Sequence, residues 1–252
     1  MFASYRLEQG HPMVIGHRGY VYPAQSRLLE NTLLAYEQAW KNGAEGVELD
    51  IHLTKDDQLV CYHDFTLKKL GSSDKVQNVT LEELKRIELP EKQKIPTIEE
   101  AFDHFEEKLY FNIEIKAPES VYSVMDIIEE RDLKNRCLIS SFHTAAIKVI
   151  TKANRGLHAA LLYITPWGKI EKAEALKVKT LHPSYVQAPF VLIPLTKMVM
   201  NHHINLATNY GYTINAWTIN KEKDAISLAK KGVSGIITDD TPLMSQLFSS
   251  ER

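Results

Sequence analysis

Two histidines in this sequence follow short apolar runs, at the positions where buried strands would end. His17 comes after Met-Val-Ile-Gly, and His63 comes after Leu-Val-Cys-Tyr. Histidine has an ordinary pKa close to neutral pH, so two of them on either side of a substrate could act as general base and general acid. We interpret five others as surface or packed side chains: His11, His104, His158, His202 and His203.

Three acidic residues lie inside apolar runs. Glu48 and Asp50 alternate with aliphatic residues in Gly-Val-Glu-Leu-Asp-Ile, which places both on one face of a strand, and Glu114 has the same setting in Asn-Ile-Glu-Ile-Lys. Carboxylates that face inward without compensation are costly, and a hard divalent cation such as Mg²⁺ or Ca²⁺ resolves that cost. The other interpretation is a salt-bridged strand face, with Glu114 paired to Lys116. Spacing alone leaves both open.

A third feature is the Arg18-Gly19 pair directly after His17. Glycine permits a tight turn there, and the planar guanidinium of Arg18 suits two oxygens of one phosphate group. The pattern therefore indicates anion binding beside the histidine.

The chain that must position these residues alternates between short apolar runs and longer stretches with helical spacing. The predicted strands are Met13–Gly16, Gly46–Leu53, Leu109–Ile115, Cys137–Ser141, His158–Leu162, Lys179–His182, Thr213–Thr218 and Gly235–Thr238. The predicted helices are Glu30–Lys41, Ile98–Glu107, Ser120–Arg131, Thr144–Ala153, Ala188–Asn201 and Lys221–Lys231. This alternation predicts an α/β fold, a TIM (β/α)₈ barrel, in which chemistry sits at the carboxyl ends of the strands. Polar residues at those ends, including Ser140, Ser141, His182, Trp217 and Asp239, are then expected to face one mouth.

One segment departs from the alternation. Gln58–Cys61 has the pattern of an extra strand, and a long polar stretch follows His63 before the next barrel strand. Within it, Thr80-Leu-Glu-Glu is typical of a capping box at the start of a helix. We interpret residues 65–96 as a small insertion above the barrel mouth, after the second barrel strand, within a single domain over residues 1–252.

Composition narrows the function classes. The formal net charge of −2 and the absence of a basic stripe argue against nucleic-acid binding. No apolar run approaches the length needed to span a bilayer, and the first residues lack a signal-peptide pattern, so no stable membrane insertion and a cytoplasmic location are expected. The two cysteines, Cys61 and Cys137, lie in apolar runs and are interpreted as buried free thiols.

An ordered set of motifs resembles the glycerophosphodiester phosphodiesterase family from about residue 13 to residue 243. The set comprises Gly16-His-Arg-Gly19, Glu30-Asn31-Thr32, Val47-Glu-Leu-Asp50, His63-Asp64, Thr80-Leu-Glu-Glu, Ile95-Pro-Thr-Ile-Glu-Glu100, Asn112-Ile-Glu-Ile-Lys116, Ser140-Ser-Phe142, His182-Pro183, Ala216-Trp-Thr218 and Gly235-Ile-Ile-Thr-Asp239. Each motif alone is weak, whereas their order and spacing together are specific.

The resemblance implies a role for each matching position. It implies metal-dependent hydrolysis of glycerophosphodiesters to glycerol 3-phosphate and an alcohol, with one divalent cation, Mg²⁺ or Ca²⁺. The implied residues are His17 and His63 as acid and base, Arg18 and Lys116 on phosphate, Trp217 on the alcohol, and Glu48, Asp50 and Glu114 on the metal. Glu30 and Asn31 are taken as support for the loop that carries His17. The implied partner is a small-molecule phosphodiester, and a homo-oligomer is left open.

The sequence departs from the family pattern in two places. Ten residues, 20–29, separate Gly19 from Glu30, with Leu29 where proline is usual, and Thr241 delays the closing proline. The first departure adjoins the site and leaves substrate choice open. The alternative activity is a phospholipase D-type hydrolysis of lysophospholipids or related lipids, and a barrel that only binds phosphorylated alcohols is disfavoured because no family position is missing. Direct attack by water and formation of a cyclic phosphate are equally compatible with these residues, as are both assignments of acid and base.

Overall fold

Eight parallel strands close into a barrel in the computed structural model, which describes residues 9–21, 28–185 and 193–249. The barrel strands are β1 (Met13–Gly16), β2 (Gly46–Leu53), β4 (Tyr110–Ile115), β5 (Cys137–Ser141), β6 (His158–Tyr163), β7 (Thr180–Pro183), β8 (Thr213–Ala216) and β9 (Gly235–Thr238); the extra strand β3 (Leu59–Cys61) precedes β4. The barrel closes because β1 pairs in parallel with both β2 and β9. The predicted (β/α)₈ barrel is confirmed.

Helices cover the outside of the barrel. They are α1 (Leu33–Lys41), α2 (Leu81–Arg86), α3 (Ile98–Phe105), α4 (Val121–Glu130), α5 (Thr144–Ala153), α6 (Lys169–Leu176), α7 (Ile193–Asn209), α8 (Glu222–Lys230) and α9 (Thr241–Ser249). The first residues of the predicted helix Ala188–Asn201 lie outside the described part of the chain; its predicted end was wrong, because α7 continues to Asn209. The delayed proline is explained by α9, since Pro242 occupies the first turn, where its missing N–H costs nothing.

Side-chain caps determine where three helices begin. The Thr32 hydroxyl accepts from Ala35 N, so α1 begins at Leu33 and not at the predicted Glu30. Thr80 caps α2 in the predicted capping box, with the Glu83 carboxylate accepting from Thr80 N at 2.8 Å. Thr97 and Glu100 repeat the arrangement at α3. Each cap satisfies backbone N–H groups that the first helical turn leaves unpaired.

The barrel interior combines apolar and polar residues. A small cluster of Met13, Ile15, Leu138, Ala160 and Ile237 packs inside, while a much larger apolar core lies between the strands and the surrounding helices. On the two neighbouring strands β2 and β4, Glu48 is paired with Asn112 and Asp50 with Glu114. Because side chains alternate between the two faces of a strand, these four polar residues lie together on one side of the barrel interior.

The insertion packs against the barrel through its own apolar cluster. β3 pairs antiparallel with the end of β2, so the chain doubles back before residue 65. The cluster consists of Val60, Tyr62, Leu67, Val76, Val79, Leu84 and Ile95. Because Val60 belongs to β3, this cluster anchors the insertion to the sheet.

The described residues contain no helix that combines the length and the apolar character required to cross a bilayer. Both cysteines are buried and free, as predicted.

Candidate active site at the carboxyl ends of the strands

A pocket of about 260 Å³ opens at the carboxyl ends of the barrel strands. Its lining combines polar and apolar side chains. The polar residues are His17, Arg18, Glu48, His63, Asn112, Glu114 and Lys116; the apolar residues are Phe142, Leu162, Ile164, Trp217 and Ile237. A larger hollow of about 770 Å³ lies outside the barrel along α1 and α3, but its lining includes neither of the two histidines nor any of the three buried carboxylates. Chemistry, not size, therefore identifies the pocket at the strand ends as the candidate site.

His17 is held by a carboxylate from the last barrel strand. Its Nδ1 lies 2.7 Å from Asp239 Oδ1, and Asn220 donates to the other oxygen of Asp239 at 2.7 Å. Burial alone would raise the pKa of Asp239, but the hydrogen bonds from His17 and Asn220 hold it below its ordinary value. Since a carboxylate only accepts, Nδ1 carries the proton and Nε2 is left for the pocket.

His63 has a matching arrangement on the other side. Its Nδ1 lies 2.6 Å from Asp64 Oδ1, and Lys69 Nζ from the insertion lies 3.0 Å from Asp64 Oδ2. Burial lowers the pKa of His63 below its ordinary value. Burial acts in the opposite direction on Asp64, but its bonds to His63 and Lys69 keep its pKa low. Both histidines thus present Nε2, oriented by an aspartate behind the ring.

The three predicted carboxylates converge. Glu48, Asp50 and Glu114 are buried, and one oxygen from each lies within 4.8 Å of the others. Lys116 Nζ lies 3.2 Å from Asp50 and 2.8 Å from Glu114. Burial, together with repulsion from Asp50 and Glu114, raises the pKa of Glu48 well above its ordinary value, and burial likewise raises that of Glu114. Burial disfavours the ionised form of Asp50 as well, yet Lys116 and Arg18 hold its pKa at about 2.

The Glu30-Asn31 pair supports the cluster from beside the barrel. Asn31 donates to Asp50 Oδ2 at 2.7 Å and accepts from Asp50 N at 3.2 Å. Its backbone is left-handed, with φ at 57°, a conformation that asparagine tolerates better than most residues. Glu30 accepts from Arg18 at 2.9 Å. Arg18 is thus fixed between Glu30 and Asp50, and Asp50 is fixed by Asn31. Residues 22–27, within the longer loop that precedes this pair, lie outside the described residues.

The donor set suits a divalent cation. Three buried carboxylates, with Glu30 beside them, face two cationic side chains, Arg18 and Lys116, so that acidic groups outnumber basic ones here. The side-chain oxygens Asp50 Oδ1 and Asn112 Oδ1 are buried without a well-formed hydrogen bond in the described structure, although Lys116 lies near the former. Unsatisfied oxygen donors beside an excess of negative charge are what Mg²⁺ or Ca²⁺ requires.

Three of the polar strand-end residues differ from the expectation that all face the mouth: Ser140, Ser141 and His182 are fully buried, and none of them lines the pocket. Ser141 donates to Ile115 O at 2.9 Å and accepts from His143 N. His182 accepts from Asn215, and burial lowers its pKa to about 3. The expectation was wrong for these residues, because their side chains are enclosed by the packed structure. Trp217 does line the pocket: the indole packs edge-to-face on Phe142 at 5.8 Å, with its Nε1 donating to His182 O.

The structure adds four residues that the sequence reasoning did not assign. Asp239 and Asp64 orient the histidines, Lys69 links the insertion to Asp64, and Asn112 lies opposite Glu48. The His63-Asp64 dipeptide and the strand-end position of Asp239 were available signals. Lys69 carried none, because its contact depends on how the insertion folds.

Lys69 provides a modest test of how the insertion contributes. We expect Lys69→Met to lower kcat/KM by about two- to fivefold, since a largely exposed ion pair contributes up to ~1 kcal/mol. Steady-state kinetics measure the change. The control is Lys68→Met on the same turn, because Lys68 is exposed and, unlike Lys69, forms no ion pair with Asp64 among the described residues. Equal losses in the two variants would mean that Lys69 has no specific role.

Comparison with known proteins places the chain in a family. The sequence profile described as the glycerophosphoryl diester phosphodiesterase family matches residues 17–243. A protein named glycerophosphodiester phosphodiesterase from Caldanaerobacter subterraneus subsp. tengcongensis is 33% identical over 93% of this chain and 97% of its own length.

Solved structures share the fold. A glycerophosphodiester phosphodiesterase from Thermotoga maritima has a TM-score of 0.77 and 29% identity, covering 94% of this chain and 98% of its own. A phosphodiesterase from Oleispira antarctica, in complex with its product sn-glycerol-3-phosphate, has a TM-score of 0.80 at 23% identity, covering 96% of this chain and 98% of its own. The second likeness is one of fold alone.

Proposed function

Since this chain belongs to the glycerophosphoryl diester phosphodiesterase family, we propose that it hydrolyses glycerophosphodiesters to glycerol 3-phosphate and an alcohol. The observation that carries the proposal is the pocket in which His17 and His63, each held through Nδ1, share one cavity with Arg18, Lys116 and two of the buried carboxylates, Glu48 and Glu114. This combination supplies proton transfer and anion binding at one place.

Arg18 and Lys116 bind the phosphate. Both are mostly buried, and both are held by carboxylates, Arg18 by Glu30 and Asp50 and Lys116 by Asp50 and Glu114. Despite burial, which opposes protonation, these carboxylates hold the pKa of each group above its ordinary value. Two fixed cations are thus ready to stabilise the charge that builds on the phosphoryl oxygens.

Glu48, Asp50 and Glu114 hold a single divalent cation, Mg²⁺ or Ca²⁺. The chemistry that such a cation supplies when bound is polarisation of a phosphoryl oxygen. Asn31 and Lys116 keep the Asp50 carboxylate in place for this role. The choice between the two ions, a cytoplasmic location and a homo-oligomer remain predictions from the sequence.

His63 accepts the proton of the attacking nucleophile, and His17 donates a proton to the leaving alcohol. Burial favours a neutral His63 ring at neutral pH, and the Asp64 behind it is shared with the cation of Lys69, which weakens its support for an imidazolium. Asp239 behind His17 accepts its second hydrogen bond from the neutral Asn220 amide, whereas Asp64 has a lysine ammonium in the corresponding place. The two aspartates therefore separate the base from the acid.

This assignment predicts the position of the acidic limb of the pH profile. The base must be neutral, and since the pKa of His63 lies below the ordinary histidine value, kcat/KM should persist as pH falls and decline only below that value. The measurement is kcat/KM against pH with the cation saturating at each point. His17→Ala should keep the acidic limb of its residual activity. An acidic limb at or above the ordinary histidine pKa would assign the base elsewhere.

The function itself is tested by product release. Purified protein incubated with glycerophosphocholine should release glycerol 3-phosphate, lose this activity in EDTA and regain it when Mg²⁺ or Ca²⁺ is restored. Full activity after exhaustive chelation would contradict the metal dependence of the reaction. Absence of turnover with every added cation would contradict glycerophosphocholine as a substrate.

A further inference from the structure

Gln93 is a buried glutamine near the end of the insertion, with 6% of its surface exposed. Its Oε1 accepts a hydrogen bond from Leu29 N at 3.1 Å, and its Nε2 donates to Pro90 O at 2.9 Å. The Thr32 hydroxyl lies 3.0 Å from the same Oε1 and 2.8 Å from Leu29 O, and it shares its proton between them. Gln93 thus joins the insertion to the chain on both sides of the Glu30-Asn31 pair.

The turn that carries Gln93 is itself fixed to the barrel. Gln93 N donates to Pro90 O at 3.2 Å, so the backbone and the side chain of Gln93 close the same turn. Farther along, Ile95 packs in the apolar cluster of the insertion, and Pro96 O accepts from Cys61 N on β3 at 2.9 Å. A side chain positions a site well only when its own geometry is fixed, and Gln93 meets that condition.

The pair between the two contacts of Gln93 supports the candidate active site. Glu30 accepts from Arg18 Nη1 at 2.9 Å, and Asn31 N donates to Arg18 O at 3.0 Å. The Asn31 side chain forms two hydrogen bonds with Asp50. Because two consecutive residues hold both Arg18 and Asp50, a shift of the pair displaces a phosphate-binding side chain and a metal-binding side chain together.

The backbone of Asn31 requires restraint from its surroundings. Its φ of 57° is in the left-handed region, and such a conformation persists at a residue other than glycine only where neighbouring contacts hold it. Tyr36 donates to Asn31 Oδ1 at 3.0 Å and so orients the side chain. Gln93 restrains the chain two residues before Asn31 and one residue after it.

We propose that Gln93 is a positioning residue for the cation and the phosphate: it fixes the Glu30-Asn31 pair and, through that pair, the Asp50 carboxylate and the Arg18 guanidinium. This inference rests on the proposed function and deepens it. Gln93 is not part of the pocket lining, so it acts through the residues that it holds. The insertion then supports the site at two points, through Gln93 and through Lys69.

Calorimetric titration of the purified full chain with Mg²⁺, and separately with Ca²⁺, tests the proposal without turnover. Gln93→Met keeps the approximate length of the side chain and removes its amide. Residues that orient a metal ligand contribute about 10- to 100-fold to metal affinity, and since Gln93 acts one contact farther away, we expect a Kd weaker by about tenfold. Gln93→Glu retains an acceptor for Leu29 N and for the Thr32 hydroxyl, so its Kd should stay within about threefold of that of the wild type.

Two further variants control for folding. Gln58→Met removes the amide of an exposed glutamine that bonds within its own turn, and it should leave the cation Kd unchanged. If Gln93→Met does not fold, Gln93→Ala replaces it, because the smaller side chain cannot clash and removes the same hydrogen bonds. The same loss of about tenfold in cation affinity is expected there.

A double variant tests whether Gln93 acts through Asn31. Asn31→Gly removes the side chain that holds Asp50, and glycine adopts the left-handed conformation without strain. Adding Gln93→Met to Asn31→Gly should then weaken the cation Kd further by less than about threefold, whereas independent effects would multiply.

The outcomes separate this proposal from the proposed function. A lower Tm in Gln93→Met with the cation Kd of the wild type would show a structural role alone and overturn the proposal, as would a fully multiplied loss in the double variant. The wild type is assayed in parallel for release of glycerol 3-phosphate from glycerophosphocholine. Absence of that release, together with the expected loss of cation affinity in Gln93→Met, would overturn the proposed substrate and support the positioning role. Absence of cation binding by the wild type would overturn both.

Discussion

Replacing His63 with alanine should lower kcat for glycerophosphocholine by about 10² to 10⁴, and replacing His17 should do the same. Each ring lines the pocket and is oriented by an aspartate, through Asp64 for one and Asp239 for the other. Loss of either ring removes one proton transfer and leaves the phosphate contacts, so KM should change much less. Steady-state kinetics at saturating cation separate the two parameters.

The control for the histidine variants is His104→Ala on helix α3. His104 is exposed and bonds to the backbone of its own helix, so its removal should leave kcat within about twofold. Wild-type turnover in both His17→Ala and His63→Ala would show that the pair transfers no proton in the reaction.

The second large effect is expected at the carboxylate cluster. Glu48→Gln should lower activity by about 10² to 10³, since a ligand to the cation is weakened and several kcal/mol of transition-state stabilisation depend on it. In the metal-free protein the same change should raise Tm, because burial and repulsion from Asp50 and Glu114 raise the pKa of Glu48 and disfavour its ionised form, and a neutral amide avoids this cost. Activity and apo stability therefore change in opposite directions.

Thermal unfolding measures the second half of that prediction. A cation at a hundred times its Kd should stabilise the wild type by ~2.7 kcal/mol, and Glu48→Gln should lose most of this gain. Glu119→Gln, at an exposed position outside the barrel, is the matched control and should retain it. A variant at Glu48 that is less stable without metal, yet stabilised by metal as strongly as the wild type, would contradict a cation site at this cluster.

Most of the fold followed from local patterns. Each barrel strand is a short apolar run bounded by turn residues, and alternation within β2 and β4 was sufficient to place Glu48, Asp50 and Glu114 on a common face. Element ends were less accurate because side-chain caps determine them: the Thr32 cap begins α1 three residues after the predicted start at Glu30. The predicted end of α7 at Asn201 was too early, because the helix continues to Asn209.

The parts of the site that were missed depend on contacts distant in sequence. His17 and Asp239 are 222 positions apart and meet only because β1 pairs with β9 when the barrel closes. Lys69 reaches Asp64 and Glu30 only after the insertion folds back on β3. Ser140, Ser141 and His182 were wrongly expected at the mouth because a strand-end position does not specify which way a side chain points. The spacing of residues in the sequence therefore predicts which residues form the site better than it predicts the side chains that orient them.

The insertion links two parts of the candidate site. Lys69 contacts Asp64, which orients His63, and it also lies 3.6 Å from Glu30, which holds Arg18. One lysine thus contacts the carboxylates that hold His63 and Arg18, which is why Lys69→Met is informative despite its small expected effect.

The most direct test of the central claim is ³¹P NMR of glycerophosphocholine turned over by the metal-loaded protein in water enriched with ¹⁸O. We predict that the diester resonance is replaced by that of glycerol 3-phosphate, with ¹⁸O bonded to phosphorus, because an oxygen from water replaces the choline oxygen on phosphorus. Formation of phosphocholine and glycerol, or an unchanged diester in protein whose cation binding has been verified by calorimetry, would contradict it.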